Sequence, residues 1–228
     1  MKLLAAATAT AALFSLATPV HAVPLPDTAS WTAWTPDLTG SLTQNGNSVG
    51  VSYTGDQAGL DFDASYFDKP ASFTNAEVSN TPQNLGTVRM VGGAATVNSF
   101  HFSSPVIDPV IALFSVGQSG TPARFVFQDS PSFVIGAQGA GHWGGGSLVL
   151  SAPFTVSGVE GNGLLQFKGT YTDIRFSTPD FENYYGATVG AMTSAVPEPQ
   201  SLALMLAGLA AGAAVLRRQR RQAAQARG

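Results

Sequence analysis

Four aspartates stand close together in one stretch of this chain: Asp61, Asp63 and Asp68 in GLDFDASYFD, with Asp56 just upstream. Carboxylate oxygens gathered in a loop are the ligand type that calcium takes, so Asp61, Asp63 and Asp68 are candidate Ca²⁺ ligands. The spacing is not that of an EF-hand. Counted from Asp61, the fifth position is Ser65 and the sixth is Tyr66, where that loop turns on a glycine. The plainer alternative is a set of solvated loop aspartates, or the outer face of a strand, since residues 61 and 63 share parity.

A second candidate lies in GAQGAGHWGGGS, where His142 and Trp143 sit in a glycine-rich loop. An exposed indole offers a sugar ring a large apolar face with a polar edge, and the imidazole adds a hydrogen-bonding group. The alternative is a hairpin loop whose tryptophan covers one end of the fold. His101, in TVNSFHF, shares parity with Val97 and Ser99, and is expected to point outward beside Ser99.

Covalent chemistry is poorly represented. There is no cysteine, which removes thiol nucleophiles, zinc-thiolate sites, thiolate-held clusters and disulfides together. One G-x-S-x-G string occurs at Gly46-Asn47-Ser48-Val49-Gly50, but a nucleophile elbow needs a strand before the serine and a helix after it. Here the string falls at a predicted hairpin and runs into a strand, so it reads as turn chemistry. Neither H-E-x-x-H nor a P-loop is present. Nothing marks a carboxylate pair for glycan hydrolysis, and the chain is read as a non-enzyme with no required cofactor, calcium being the one ion considered.

The elements that must position these residues are short and β-rich. Only 11% of residues are charged, while glycine and proline are frequent (25 and 14), a composition of strands and turns and not of helical bundles. Apolar runs recur about every ten residues: TVRMV (87–91), TVNSFHF (96–102), PVIALFSV (109–116), ARFVFQ (123–128), SFVIG (132–136), SLVLS (147–151), FTVSGVEG (154–161), LLQFKGTYTDIRF (164–176) and YYGATVGAM (184–192). This spacing predicts an all-β fold, an antiparallel β-sandwich or jelly roll. Asn45-Gly46 is expected to make a tight hairpin turn, and Glu160-Gly161-Asn162-Gly163 a second one. Residues 55–86 are less regular and are expected to form a long loop with a short strand or helical turn.

The two ends carry a different signal. MKLLAAATATAALFSLATPVHA has a positive Lys2, an apolar stretch over residues 3–16, a helix-breaking Pro19, and Val20 and Ala22 at the −3 and −1 positions of a cut. It is expected to be a secretory signal helix, removed after Ala22. Charge is segregated along the chain. Residues 23–195 hold five basic and thirteen acidic side chains, a net −8, whereas residues 196–228 hold five arginines and Glu198, a net +4. An acidic body repels nucleic acid, so no nucleic-acid partner is expected.

The terminal arginines flank an apolar run, where topology signals reside. Residues 202–216 are fifteen consecutive apolar or glycine residues, about 22 Å as a helix at roughly 1.5 Å per residue, short of the ~30 Å hydrocarbon core. Arg217, Arg218, Arg220 and Arg221 follow at once, and their side chains can snorkel to extend the span. The expected topology is a short inner-membrane helix with the body outside and the arginines inside.

Val196-Pro197-Glu198-Pro199, then a short small-residue-rich helix, then an arginine cluster, resembles the PEP-CTERM sorting signal. That resemblance implies a sorting element at Pro197, Glu198 and Pro199, and a partner exosortase, a membrane protease that supplies its own catalytic thiol. It further implies export, a temporary inner-membrane anchor, and delivery to the cell surface or extracellular space. SLTQNGNSVGVSYTG, FSSPVIDPVIALFSVG and GVEGNGLLQFKGTYTDIRF look like segments of the β-rich ectodomains of such proteins. Their association suggests a structural or adhesive role in exopolysaccharide or biofilm matrix. Alternatives are a carbohydrate- or calcium-binding module and, more remotely, a glycan hydrolase. The expected organisation is a signal peptide (1–22), a β-sandwich ectodomain (23–192), and a linker with the sorting and anchor segment (193–228).

Overall fold

A computed structural model describes residues 28–193, together with 208, 209 and 212. Fifteen strands account for most of the body: β1 (Ala29–Trp31), β2 (Ala33–Trp34), β3 (Thr39–Gln44), β4 (Asn47–Thr54), β5 (Gly59–Asp61), β6 (Thr87–Met90), β7 (Asn98–Ile107), β8 (Pro109–Val116), β9 (Ala123–Phe127), β10 (Ser132–Gly139), β11 (Leu148–Ala152), β12 (Thr155–Gly158), β13 (Gly161–Lys168), β14 (Thr170–Ser177) and β15 (Tyr185–Met192). They form two antiparallel sheets. The seven-stranded sheet runs β10-β13-β8-β15-β6-β5, with β1 also on β15; the eight-stranded sheet runs β11-β12-β9-β14-β7-β4-β3-β2. The described body is therefore all-β and consistent with the expected sandwich.

The Asn45-Gly46 turn forms as expected. Both residues have positive φ (52° and 76°), the geometry that matches the twist of a two-residue hairpin, and Gln44 pairs with Asn47 across it. Strand β4 then alternates: Val49, Val51 and Tyr53 are buried while Asn47, Ser48 and Thr54 are exposed. Ser48 lies on this strand with no helix after it, so the G-x-S-x-G string builds no nucleophile elbow.

Two sequence readings are corrected. The run 164–176 is not one strand: it breaks at Gly169 (φ 115°), with β13 in the first sheet and β14 in the second. Likewise Glu160 (φ 58°) is not a hairpin turn, because β12 and β13 belong to different sheets. From β6 to β15 every connection crosses between the sheets except the β11–β12 hairpin. Two crossings are tied side by side. Asp108, between β7 and β8, donates its backbone N–H to the Gly169 carbonyl (2.8 Å), and its Oδ1 accepts the Gly169 N–H (2.7 Å).

The main core lies between the sheets. Phe100, Phe102, Phe125, Phe127, Phe167 and Phe176 fill it with Leu113, Val156 and Tyr185. Strands β8 and β13 are buried on both faces, which antiparallel strands seldom are. The reason is the segment between β5 and β6, which lies across the outer face of the seven-stranded sheet. Its 3₁₀ turns, Ala64–Phe67 and Pro70–Ser72, help bring Tyr66, Phe67, Phe73 and Val78 onto Val110, Ala112, Phe114 and Leu164, forming a second cluster. The irregular stretch is thus a cover over the sheet.

Candidate functional site

Asp63 begins the candidate site because it starts the first 3₁₀ turn. Its Oδ1 accepts the Ser65 N–H (2.9 Å), the short-range cap that Asp makes well. Hydrogen bonding from the Ser65 backbone N–H and side chain holds the Asp63 carboxyl below its ordinary value. The turn rotates Tyr66 and Phe67 inward and leaves Asp68 exposed at its other end. Asp61, at the end of β5, accepts both the Tyr66 hydroxyl (2.7 Å) and the Tyr184 hydroxyl (3.3 Å) on Oδ2, and the Asp63 N–H on Oδ1 (3.1 Å). Burial raises the pKa of both tyrosines, Tyr184 the more strongly, so these hydroxyls remain proton donors to Asp61.

The second candidate from the sequence arrives at the same place. Asp68 Oδ2 lies 3.4 Å from His142 Nδ1 and 3.6 Å from Lys69 Nζ. The Trp143 ring sits 5.3 Å from Tyr66, 5.1 Å from Tyr184 and 5.6 Å from Phe114, centroid to centroid, while 43% of the residue stays exposed. The aspartate loop and the tryptophan loop, about eighty residues apart in sequence, therefore form one patch over the outer face of the seven-stranded sheet.

The glycine-rich loop carrying Trp143 is pinned down. Gly141 N–H donates to the Gly144 carbonyl (3.1 Å), and Gly146 N–H to the Glu160 carbonyl (3.1 Å). A Cβ at Gly144 would meet the Glu160 side chain at 2.2 Å, and one at Gly146 would meet the Val159 carbonyl oxygen at 1.8 Å. Glycine here permits close backbone packing and not loose motion, so Trp143 is held in place by its loop and by three rings.

Composition does not foretell Arg89. This residue of β6 places its guanidinium carbon 4.6 Å from the centre of the Tyr184 ring, a cation–π contact. Its Nε is buried without a hydrogen-bond partner among the described residues. The other basic side chains there, Lys69, Arg124, Lys168 and Arg175, each have a carboxylate within 4 Å, and Arg89 has none. The only trace in sequence is the outward parity of Arg89 between inward Val88 and Met90.

As metal ligands, Asp61, Asp63 and Asp68 are brought to one patch but not to one point. Among the described residues no group of three or more His, Cys, Asp or Glu side chains is arranged to hold an ion. On the opposite sheet His101 points outward, as expected, with Nδ1 2.8 Å from Asp173 Oδ1. Ser52 faces His101 from β4 and Asp173 faces it from β14, a row that sequence spacing does not reveal. Ser52 makes no hydrogen bond to His101, and the row lies on an open sheet face beside a shallow depression of about 460 Å³ lined by Asp129, Tyr171 and Arg175 among others. It resembles a cross-strand polar ladder more than an activated nucleophile.

The tail elements Val196, Pro197, Glu198, Pro199, Arg217, Arg218, Arg220 and Arg221 lie outside the described residues, as does the signal segment 1–22. Within the apolar run 202–216, Gly208, Leu209 and Gly212 are helical. Among the described residues no helix is long and apolar enough to cross a membrane.

The described body and the tail together define an all-β protein carrying a sorting segment. Residues 195–221 match the family description of the PEP-CTERM protein-sorting motif. The motif marks an exported protein that an exosortase processes and sorts to the cell surface. No curated protein and no solved structure matches the chain significantly.

Proposed function

We propose that this chain is a structural or adhesive component of an exopolysaccharide or biofilm matrix, exported by its N-terminal signal and held briefly in the inner membrane by residues 202–216. Its body then reaches the surface when an exosortase reads Pro197-Glu198-Pro199. The sorting motif at 195–221 carries this reading, because it sets an acidic all-β body before an apolar run and an arginine stop. Mass spectrometry of the surface form tests it. The expected product begins at Val23 and lacks residues 217–228 in cells with an exosortase, and keeps the arginines in cells without one. A surface form that retains Arg217–Arg221 in both backgrounds refutes the sorting, and an intact Met1 refutes the signal peptide.

A second reading, a carbohydrate-binding module, is favoured by the meeting of the Asp61–Asp68 and Trp143 loops in one patch. Calcium is less well supported there, because Asp61 already accepts two tyrosine hydroxyls and Asp63 a backbone N–H. A rise in melting temperature in millimolar Ca²⁺ over chelator is the result that would restore it. The reading is non-enzymatic, and turnover of isolated polysaccharides would overturn that.

A further inference from the structure

We infer that the Trp143 patch binds an uncharged polysaccharide chain, stacking one sugar ring on the indole while Arg89, His142 and the flanking carboxylates hold its hydroxyls; this deepens the matrix reading and rests on it. A pyranose presents an apolar face of C–H groups with hydroxyls around its rim. Its receptor needs a flat aromatic surface held in place, with donors and acceptors at the edge. Trp143 meets the first need: it is exposed, yet wedged against Tyr66, Phe114 and Tyr184 on a loop pinned at Gly144 and Gly146. A platform fixed before binding loses little side-chain entropy on binding.

The edge meets the second need. Asp63 and Asp68 are exposed acceptors, and His142 beside Trp143 supplies a donor or acceptor. Arg89 rests on the same Tyr184 ring that Trp143 touches. A cation left without a carboxylate in a body of net −8 calls for a use, and its fan of N–H groups suits paired hydroxyls.

Charge decides which glycan. Three carboxylates, Asp61, Asp63 and Asp68, share the patch with Arg89 and Lys69, and the whole body is acidic. Uronate or sulfated polymers therefore meet repulsion from both the patch and the body, whereas neutral hexose polymers do not.

Affinity electrophoresis of the full chain, in a detergent without a sugar headgroup, tests this. The gels contain one of three neutral polymers (a β-glucan, a mannan or a galactan) or polygalacturonate. The expected result is retardation by at least one neutral polymer and none by polygalacturonate. Trp143→Ala should weaken that retardation at least tenfold and Arg89→Gln at least threefold, while His101→Ala on the other sheet leaves it unchanged. Because Trp143 is partly exposed, a melting curve close to the parent shows that its loss is not unfolding. No retardation by any neutral polymer, retardation by polygalacturonate as strong as by the neutral ones, or full binding by Trp143→Ala overturns the inference. Fractionating cells that express parent or Trp143→Ala protein separates the two readings. Parent absent from the polysaccharide fraction sinks the matrix reading. Parent and variant equally present there sinks the Trp143 site alone.

Discussion

Glu182 is expected to make this protein lose stability as pH rises from about 4.5 to 7. It is only 3% exposed, and one oxygen accepts the Gly117 N–H at 3.0 Å. Burial pushes its pKa up to about 7 from 4.5; the backbone N–H groups of Gly117 and Tyr184 pull the other way, and Glu160 adds like-charge repulsion. Below 4.5 the carboxyl is protonated in both states and contributes no pH dependence. Between 4.5 and 7 the folded chain binds a proton that the unfolded chain has released, so stability falls as pH climbs. At roughly 1.4 kcal/mol per pH unit the full loss is about 3 kcal/mol, reached above pH 7. Glu182→Gln keeps an oxygen for the Gly117 N–H and an N–H₂ where the neutral acid has its O–H, but never ionises. Thermal melts of parent and variant from pH 4.5 to 8.5 isolate the effect as the difference between the two curves. The curves should nearly coincide at pH 4.5. At pH 8 the variant should melt higher by about 6 to 12 °C, at roughly 2 to 4 °C per kcal/mol for a domain of this size. Parallel curves across the range would refute the assignment of a buried carboxyl whose burial outweighs its backbone hydrogen bonds.

Other perturbations follow from the same packing. Tyr53, Tyr184 and Tyr185 are raised above the ordinary phenol value mainly by burial, so stability should fall as pH rises past 10; tyrosinate absorbance should appear together with the loss of folded-state circular dichroism, and ionisation of all three well before unfolding would count against their burial. Gly169→Ala places a side chain at φ 115° at the crossing tied to Asp108, in space whose nearest atom is 3.8 Å away, so backbone strain alone should cost about 1 to 3 kcal/mol in urea unfolding; an unchanged midpoint would show that the crossing relaxes. Phe100→Ala removes a fully buried ring that packs on Trp34, Tyr53 and Phe176, with an expected loss of about 3 to 5 kcal/mol, and a loss under 1 kcal/mol would mean the core refills.

What could be read from sequence followed the range of the forces involved. The Asn45-Gly46 hairpin was legible because a two-residue turn with positive φ is settled by its own residues. The strands over 87–116 were legible from their β-branched and aromatic runs. The crossing at Gly169 was not, because a glycine inside a β-rich run looks the same whether the strand continues or changes sheet. The structure shows the change as burial: LLQF is buried throughout, while in TYTDIRF only Ile174 and Phe176 are buried, so a strand covered on both faces gives way to one covered on a single face. The strands Ala29–Trp31 and Ala33–Trp34 are too short to show a period. For the patch, residue types named Asp61, Asp63, Asp68, His142 and Trp143 but not their meeting, which depends on the cover segment folding back over Phe114. Arg89 was silent, because one arginine in TVRM says nothing about the missing carboxylate or the ring beneath it.

The segregation of charge gives the proposed processing a physical direction. In the proposed topology the tail arginines would draw residues 196–228 to the anionic cytoplasmic lipid surface while the tail is attached. The body, at −8, has no such attraction, so in the proposed anchored form the tail alone would hold the chain to the membrane. Removing it discards the apolar run and the net +4 together, leaving a domain that anionic lipid repels. In this proposal release would be favoured without any change inside the sandwich, and the domain would depart with the Trp143 patch uncovered. The processed form should elute later from an anion exchanger than the full chain and should not sediment with vesicles of anionic phospholipid at low salt. Sedimentation that persists after the arginines are gone would locate the membrane contact in the body and undo this account of release.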